Sequence, residues 1–205
     1  MYTTKASEGE DTTMPETPII AGLKEWASAI AALESGRQIL VMRKGGIVEE
    51  TRHFELKSHD FFLYPTYEHQ RSELVKENDR HFVEESLQGW DAADSYVTIR
   101  TYAKLVEDIE IVDQQMLDKL RDYHMWTDDF AEARLKWKRQ QPLHVLLLQV
   151  FKLEQPVELP ILPEYTGCRS WLSMDTRLVT SEMTPVLDAR EFERRVKEIK
   201  QALKA

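Results

Sequence analysis

The sequence predicts an α+β fold, described as a small mixed β-barrel or curved sheet flanked by helices, with an amphipathic C-terminal helix. Three observations support this prediction. Short runs rich in β-branched and aromatic residues are spread along the chain and indicate strands. Apolar residues recur at helical spacing near both ends of the chain. With 205 residues, of which 42% are hydrophobic and 31% charged, the chain has the size and composition of one globular domain.

The first elements follow a polar leader. Residues 1–18 contain almost no large apolar side chains, so we expect them to be disordered. Residues 21–35 carry apolar side chains at spacings of three and four, which predicts a helix that ends at Gly36. Residues 38–42 and 61–64 predict strands, the second of them ended by Pro65. A single domain is expected over residues 19–180.

Strands and capped helices alternate in the second half of the chain. Residues 96–99 and 103–111 predict two further strands, and residues 143–153 predict the strongest, central one. Asp113 and Thr127 are expected to cap two short helices between them. A last helix is predicted over residues 185–204, because Asp188 is an N-cap candidate and an apolar stripe follows. The stripe consists of Phe192, Val196, Ile199 and Leu203; it is expected to pack on the domain, and a homodimer contact is the alternative.

Charge and cysteine content limit the partners. Against 27 Lys and Arg residues stand 36 Asp and Glu, a net charge of -9 that works against tight, sequence-independent binding to a polyanion. The longest apolar run, residues 143–148, is far shorter than the roughly 20 residues of a membrane helix, so no membrane partner is expected. The single cysteine, Cys168, cannot form an intramolecular disulfide and fits a reducing cytoplasm. No cofactor is expected, since the chain has neither a P-loop nor a dinucleotide fingerprint.

Four separated motifs resemble a known family. They are residues 40–47 (LVMRKGGI), 61–70 (FFLYPTYEHQ), 124–129 (HMWTDD) and 162–171 (LPEYTGCRSW). In this order they resemble the bacterial and archaeal family called domain of unknown function 1802, over roughly residues 21–175. The resemblance implies no activity, because that family has no established function, and it leaves the leader and the C-terminal helix outside. The order of strands is also similar to the pseudo-barrels of the PUA and ASCH superfamily, which would imply recognition of RNA or a modified nucleotide in a cleft.

Two motifs contain candidate ligand-binding residues before position 70. Arg43 and Lys44 precede Gly45 and Gly46, a combination of cations and sterically open backbone N–H groups that could hold a phosphate, although a hairpin turn with solvated charges is the alternative. Beyond the strand at 61–64, Tyr67, Glu68 and His69 form a polar and aromatic loop. His69 and Glu68 could act in an acid/base or metal-dependent hydrolase with His53 or His59, or the loop could be a local hydrogen-bond network.

Two later motifs add an aromatic residue and a cation. Trp126 could stack on a base or pack in the core. Arg134, Lys136, Lys138 and Arg139 surround Trp137 and could follow a phosphate backbone, or they could complement a helix C-terminus. Cys168 could be an activated thiol beside Arg169 or a structural residue. Arg169, between Tyr165 and Trp171, could grip an anion or form an internal salt bridge.

Three classes of function remain open from the sequence. The preferred one is a nucleotide or RNA binding module that recognises an anionic group through Arg43, Lys44, Tyr67, Glu68, His69, Trp126 and Arg169. The alternatives are a hydrolase that uses His69 and Glu68, and a structural or protein-interaction domain. Arg43, Arg169 and His69 are expected to share one cleft.

Overall fold

The centre of the molecule is a seven-stranded mixed sheet. The computed structural model describes residues 20–44, 54, 56–137, 141–167, 169–174 and 182–205. In chain order the strands are β1 (Ile20–Trp26), β2 (Leu40–Arg43), β3 (Asp60–Thr66), β4 (Tyr96–Ile111), β5 (Leu143–Pro160), β6 (Trp171–Met174) and β7 (Met183–Pro185).

Five helices flank this sheet in the described part of the chain. They are α1 (Ala27–Glu34), α2 (His81–Ser86), α3 (Gln114–Asp118), α4 (Asp128–Lys136) and α5 (Ala189–Lys204). Four short 3₁₀ turns add Ser72–Leu74, Glu77–Asp79, Arg121–Tyr123 and Pro163–Tyr165. None of the described helices is both long enough and apolar enough to cross a lipid bilayer. The arrangement is the predicted α+β class, in its form of a curved sheet flanked by helices.

The strands follow the order β2-β5-β4-β3-β1-β6, and β7 also pairs with β5. β1 and β3 run parallel, whereas the other described pairs are antiparallel. β5 has neighbours on both sides, as expected for the most apolar run of the chain. Its N-terminal half lies between β2 and β4, and its residues Phe151–Leu153 pair with β7.

The two longest strands carry irregularities that bend the sheet. Val106 of β4 is an extra residue between two paired positions, and it points its side chain to solvent. Farther along, residues 153–156 of β5 stand opposite Arg100 alone. Bulges of this kind bend a strand and increase its twist. The expected strands at 96–99 and 103–111 are therefore one continuous strand, β4, with irregular positions inside it.

The bending curls the sheet so strongly that distant strands meet. In strand order, β2 and β1 are four strand spacings apart, which in a flat sheet would be about 19 Å. However, Arg43 Nη1 at the end of β2 lies 3.2 Å from Glu25 Oε2 of β1. Phe54 lies between β5 and β6, with ring centroids 5.2 Å from His144 and 6.3 Å from Trp171.

Each face of the sheet has its own apolar cluster. Alternate residues of β3 divide between them: Phe61 and Leu63 join the larger cluster, and Phe62 and Tyr64 join the smaller one. This is the period of two that a strand buried on both faces requires. The larger cluster packs against the helices, whereas the smaller one is covered by the segment that includes Tyr165.

The prediction of one helix over residues 21–35 was wrong in its first half. Residues Ile20–Trp26 form β1, and the helix begins at Ala27. β1 has β3 on one side and β6 on the other, so two neighbouring strands satisfy its backbone groups. The spacing of Leu23, Trp26 and Ala27 also fits a helix, and only tertiary pairing distinguishes the two. The predicted stop is confirmed, since Gly36 has φ 72° directly after the helix.

A second boundary differs at Pro65, which continues β3 instead of ending it. β4 pairs with β3 only at Asp60–Phe62, so Pro65 lies where the β4 side has no paired residue. The missing N–H of proline therefore costs no hydrogen bond to β4.

The three predicted helix caps are confirmed. Asp113 accepts from Met116 N, Thr127 from Phe130 N, and Asp188 from Glu191 N. The C-terminal helix α5 packs on its own domain: Phe192 and Ile199 are buried in the larger cluster, and Val196 and Leu203 lie partly buried against it.

Candidate ligand-binding cleft

A cleft of about 400 Å³ opens on the side of the sheet that carries the smaller apolar cluster. This volume lies within the usual range for small-molecule sites. Its walls come from four segments: residues 64–68 at the end of β3, the 86–94 segment before β4, residues 96–100 of β4, and residues 161–167 after β5, with Lys24 of β1 at the base.

Local turn chemistry shapes the wall formed by the 86–94 segment. Gly89 has φ 77°, a left-handed conformation that glycine adopts without strain. Asp91 Oδ1 accepts from Ala93 N at 2.8 Å, and Asp94 Oδ2 accepts from Asp91 N at 3.0 Å. Such aspartate turns fix a loop without neighbouring secondary structure. Trp90 is thereby held between a glycine and a rigid turn.

Five aromatic side chains line the cleft. The rings of Tyr67 and Trp90 stack with centroids 5.2 Å apart and 15° between their planes. Tyr64 and Tyr165 meet edge to face at 5.7 Å. Tyr96, at the start of β4, is 63% exposed. Exposed and half-buried rings in a concave site present flat surfaces on which a planar ligand can stack.

The two cations of the cleft, Lys24 and Arg100, differ in the contacts that they make with the protein. Lys24 Nζ donates to the carbonyl oxygens of Tyr165 at 2.7 Å and Gly167 at 2.9 Å, so it anchors the 161–167 wall. Arg100 is exposed and forms no salt bridge with a carboxylate of the described residues. It lies near enough to Tyr67 for its charge to act on the pKa of that phenol. Arg100 is thus the cation that a ligand can reach.

Tyr64 and Tyr67 of the cleft remain protonated at neutral pH. Burial, followed by the neighbouring Tyr165, raises the pKa of Tyr64 to about 12. Burial also raises the pKa of Tyr67, although Arg100 acts in the opposite direction. Both hydroxyls can therefore donate a hydrogen bond to a ligand.

The cleft brings together two of the seven residues that the sequence singled out. Tyr67 and Glu68 line it, whereas His69 and Arg169 are exposed and are not among its lining residues. Arg169 follows the Thr166–Gly167 edge by two residues. The structure therefore does not bring Arg43, Arg169 and His69 together in this cleft.

Arg43 and Lys44 are buried and form internal contacts. Arg43 is 9% exposed; its Nη1 donates to Lys24 O at 3.0 Å and to Glu25 Oε2. Lys44 is 4% exposed and donates to Leu135 O. The curl of the sheet places Arg43 at the end of β2 against β1, whereas Lys44 lies against the end of α4.

Trp126 belongs to the core. It is 3% exposed and packs beside His124 and Phe130, with ring centroids 5.9 and 6.4 Å away. It is therefore not available to stack on a base, and of the two alternatives for Trp126 the structure favours core packing. Thr127 beside it does cap α4, as predicted.

Several candidates lie outside the described residues: His53, Gly45, Gly46, Cys168, Lys138 and Arg139. Of the remaining histidines proposed for a hydrolase, His59 and His69 are exposed. Within the described ranges, no group of three or more His, Cys, Asp or Glu residues is arranged to hold a metal ion.

Sequence reasoning missed Trp90, Tyr96 and Arg100. A signal for the last two was present in β4, where Tyr96, Thr98 and Arg100 alternate with the apolar residues Val97 and Ile99. An exposed aromatic ring beside an arginine on the solvent side of a strand can stack on a planar ligand and bind its anionic group. Trp90 had no comparable signal, because its place opposite Tyr67 is set by tertiary structure.

The fold and the cleft define a small α+β protein with an aromatic, ligand-sized site beside a curved sheet. The chain belongs to the family described as domain of unknown function (DUF1802), whose match spans residues 22–198. The predicted resemblance is confirmed, and the match extends farther than expected, since it includes most of α5.

Two solved structures are similar in overall fold. They are crystal structures of ASCH from Zymomonas mobilis and of a single-residue mutant of that protein, each with a TM-score of 0.45 and 12% sequence identity. The alignments cover 79% of this chain and 95% and 96% of those chains, respectively. No curated protein matches the sequence.

Proposed function

We propose that the protein binds a nucleotide, either free or as one unit of single-stranded RNA, in the aromatic cleft. The observation that carries this proposal is the combination of the stacked Tyr67–Trp90 pair and the exposed Tyr96 with Arg100, a cation without a carboxylate partner among the described residues. Rings supply surfaces for a base, and a guanidinium supplies two N–H groups for a phosphate.

The charges of the cleft indicate a short ligand. Lys24 and Arg100 face Glu68, Asp91 and Asp94, so carboxylates outnumber cations in the lining. A groove for a long phosphate backbone would carry an excess of cations. The carboxylates can instead accept hydrogen bonds from the amino groups of a base. One base with one phosphate therefore fits the site better than an extended polyanion.

We include Arg169, next to the wall formed by residues 161–167, in the proposed binding site. It is exposed and directly follows the 161–167 wall, so it could contact a phosphate next to the one held by Arg100. The lone cysteine suits action in a reducing compartment such as the cytoplasm.

The test is a titration of the full chain with the four ribonucleoside monophosphates and short oligoribonucleotides, followed by calorimetry at two salt concentrations. Trp90→Ala should weaken binding about 5- to 150-fold, the value of one stacking contact. Arg100→Ala should weaken it about ten- to hundredfold and reduce the salt dependence. Trp90→Phe, which keeps a ring, should restore most of the affinity.

Arg71→Ala is the matched control, because Arg71 is exposed and lies outside the cleft lining. It should bind as the wild type does. The cleft has another role if the wild type binds none of these ligands at low salt, or if Trp90→Ala and Arg100→Ala both bind as tightly as the wild type. Either result would support a protein-interaction function.

A further inference from the structure

Three cations meet on the opposite side of β1 from the cleft. Arg43 ends β2, Lys44 follows it, and Arg134 lies in the last turn of α4. Two hydrogen bonds attach the end of α4 to the end of β2. Arg134 Nη2 donates to Met42 O at 3.5 Å, and Lys44 Nζ donates to Leu135 O. We call Arg43, Lys44 and Arg134 the cation cluster.

Positive charge exceeds negative charge in the cation cluster. Glu25 forms a salt bridge with Arg43, and no other carboxylate of the described residues forms one with any of the three cations. The formal balance is therefore three positive charges against one negative. Burial and the charge of Arg43 lower the pKa of Arg134, and burial and the charge of Arg134 lower the pKa of Lys44. Buried charges of like sign are costly unless a counterion compensates them.

Hydrogen-bond donors in the cluster are also unsatisfied. Nε of Arg43 and Nε of Arg134 are both buried and have no hydrogen-bond partner. Buried N–H groups without a partner are uncommon in folded proteins, because a buried donor is normally paired with a hydrogen-bond acceptor. The oxygens of a phosphate are strong acceptors for guanidinium N–H groups.

Ordinary structural contacts explain only part of this arrangement. The bond to Leu135 O satisfies Lys44 at the negative end of the α4 dipole. The guanidinium groups of Arg43 and Arg134 lie 6.0 and 5.7 Å from the rings of Phe54 and Phe130. Ring faces attract a cation, but these contacts leave both Nε–H groups without an acceptor.

We infer that the cation cluster is a binding site for a phosphate-class dianion, either inorganic phosphate or a phosphate monoester. A dianion neutralises the excess of two positive charges and offers oxygen acceptors to both Nε–H groups. The site is distinct from the aromatic cleft, because none of the three cations lines that cleft. The inference is independent of the proposed nucleotide binding.

Thermal unfolding of the full chain in inorganic phosphate, compared with sodium chloride of equal ionic strength, tests the inference. At about 100 times the dissociation constant, phosphate should raise Tm by about 5 to 10 °C more than chloride does. Arg134→Met keeps an unbranched side chain of similar apolar character to the arginine stem and removes its charge. This variant should lose the phosphate-specific increase, and in chloride it should be at least as stable as the wild type because repulsion is relieved.

A matched control separates this site from general salt effects. Arg71→Met removes an exposed charge outside both sites and should respond to phosphate as the wild type does. Phosphorus NMR of inorganic phosphate titrated with wild-type protein measures binding even if Arg134→Met fails to fold. Phosphate that stabilises no more than chloride, or that stabilises Arg134→Met equally, overturns the inference.

Discussion

His124 makes the stability of the protein depend on pH in a range where carboxylates do not yet titrate. The side chain is 1% exposed, and its Nδ1 is buried without a hydrogen-bond partner. Burial, then the charge of Lys76, lowers the pKa of His124 to about 3. Lys76 is fixed nearby, because its Nζ donates to His124 O at 2.8 Å. The folded protein therefore holds this imidazole neutral.

The sign and size of the effect follow from linkage. In the unfolded chain a histidine takes up a proton as the pH falls through about 6.5, whereas folded His124 does not until the pH approaches 3. The unfolded state thus binds more protons in this range, so stability is complete above pH 6.5 and is lost as the pH falls. The loss between pH 8 and pH 5 is about 2 kcal/mol, which corresponds to about 4 to 8 °C in Tm.

Chemical denaturation at a series of pH values from 8 to 5 measures this loss. His124→Gln replaces the imidazole by a side chain that does not titrate, so its free energy of unfolding should vary by about 2 kcal/mol less over the same range. His69→Gln is the matched control, since His69 is exposed, and it should keep the wild-type slope. A wild-type stability that is constant from pH 8 to 5, or a His124→Gln slope equal to that of the wild type, would refute the reasoning.

Two further predictions concern packing and ion pairs. Phe192 is 7% exposed in the larger cluster, so Phe192→Ala should lower the free energy of unfolding by about 3 to 5 kcal/mol and leave the sedimentation coefficient unchanged. An altered sedimentation coefficient at wild-type stability would instead indicate a homodimer contact through α5. Arg37→Ala should cost about 3 kcal/mol in urea denaturation, because it leaves Asp79 buried after the loss of bonds at 2.8 and 2.9 Å. Arg121→Ala, which breaks an exposed pair with Asp128, should cost less than about 1 kcal/mol, and equal losses in the two variants would contradict the role of burial.

Local signals in the sequence were sufficient where one residue or one face decides the structure. Asp113, Thr127 and Asp188 cap their helices because a side-chain oxygen reaches an N–H group only three residues away. β1 shows the limit of such signals. Trp26 precedes α1 without a side-chain cap, so nothing local marks the change from strand to helix at Ala27. Pairing with β3 and β6, which are distant in the sequence, decides it.

The residues of the candidate site also fall into two groups, those that local sequence signals identify and those that only the fold brings together. Tyr67 and Glu68 were found because they follow a strand end, where binding residues often lie. Their partners Trp90 and Arg100 come from segments more than 20 residues later, and only the fold brings them together. Arg43 was assigned to an open loop because the glycines after it favour a turn. The curl of the sheet buries it against Glu25, and sequence spacing contains no information about that curl.

β1 connects the two proposed sites. Successive residues of a strand face opposite sides, and here Lys24 faces the cleft while Glu25 faces the cation cluster. The backbone between them is held from both sides, since Lys24 O accepts from Arg43 and Glu25 O accepts from Thr66 Oγ1. A shift of register by one residue would exchange the two faces, but pairing of β1 with both β3 and β6 opposes such a shift. Because Arg43 of the cation cluster donates to the backbone of Lys24, which lines the cleft, ligands bound at the two sites should stabilise the protein non-additively.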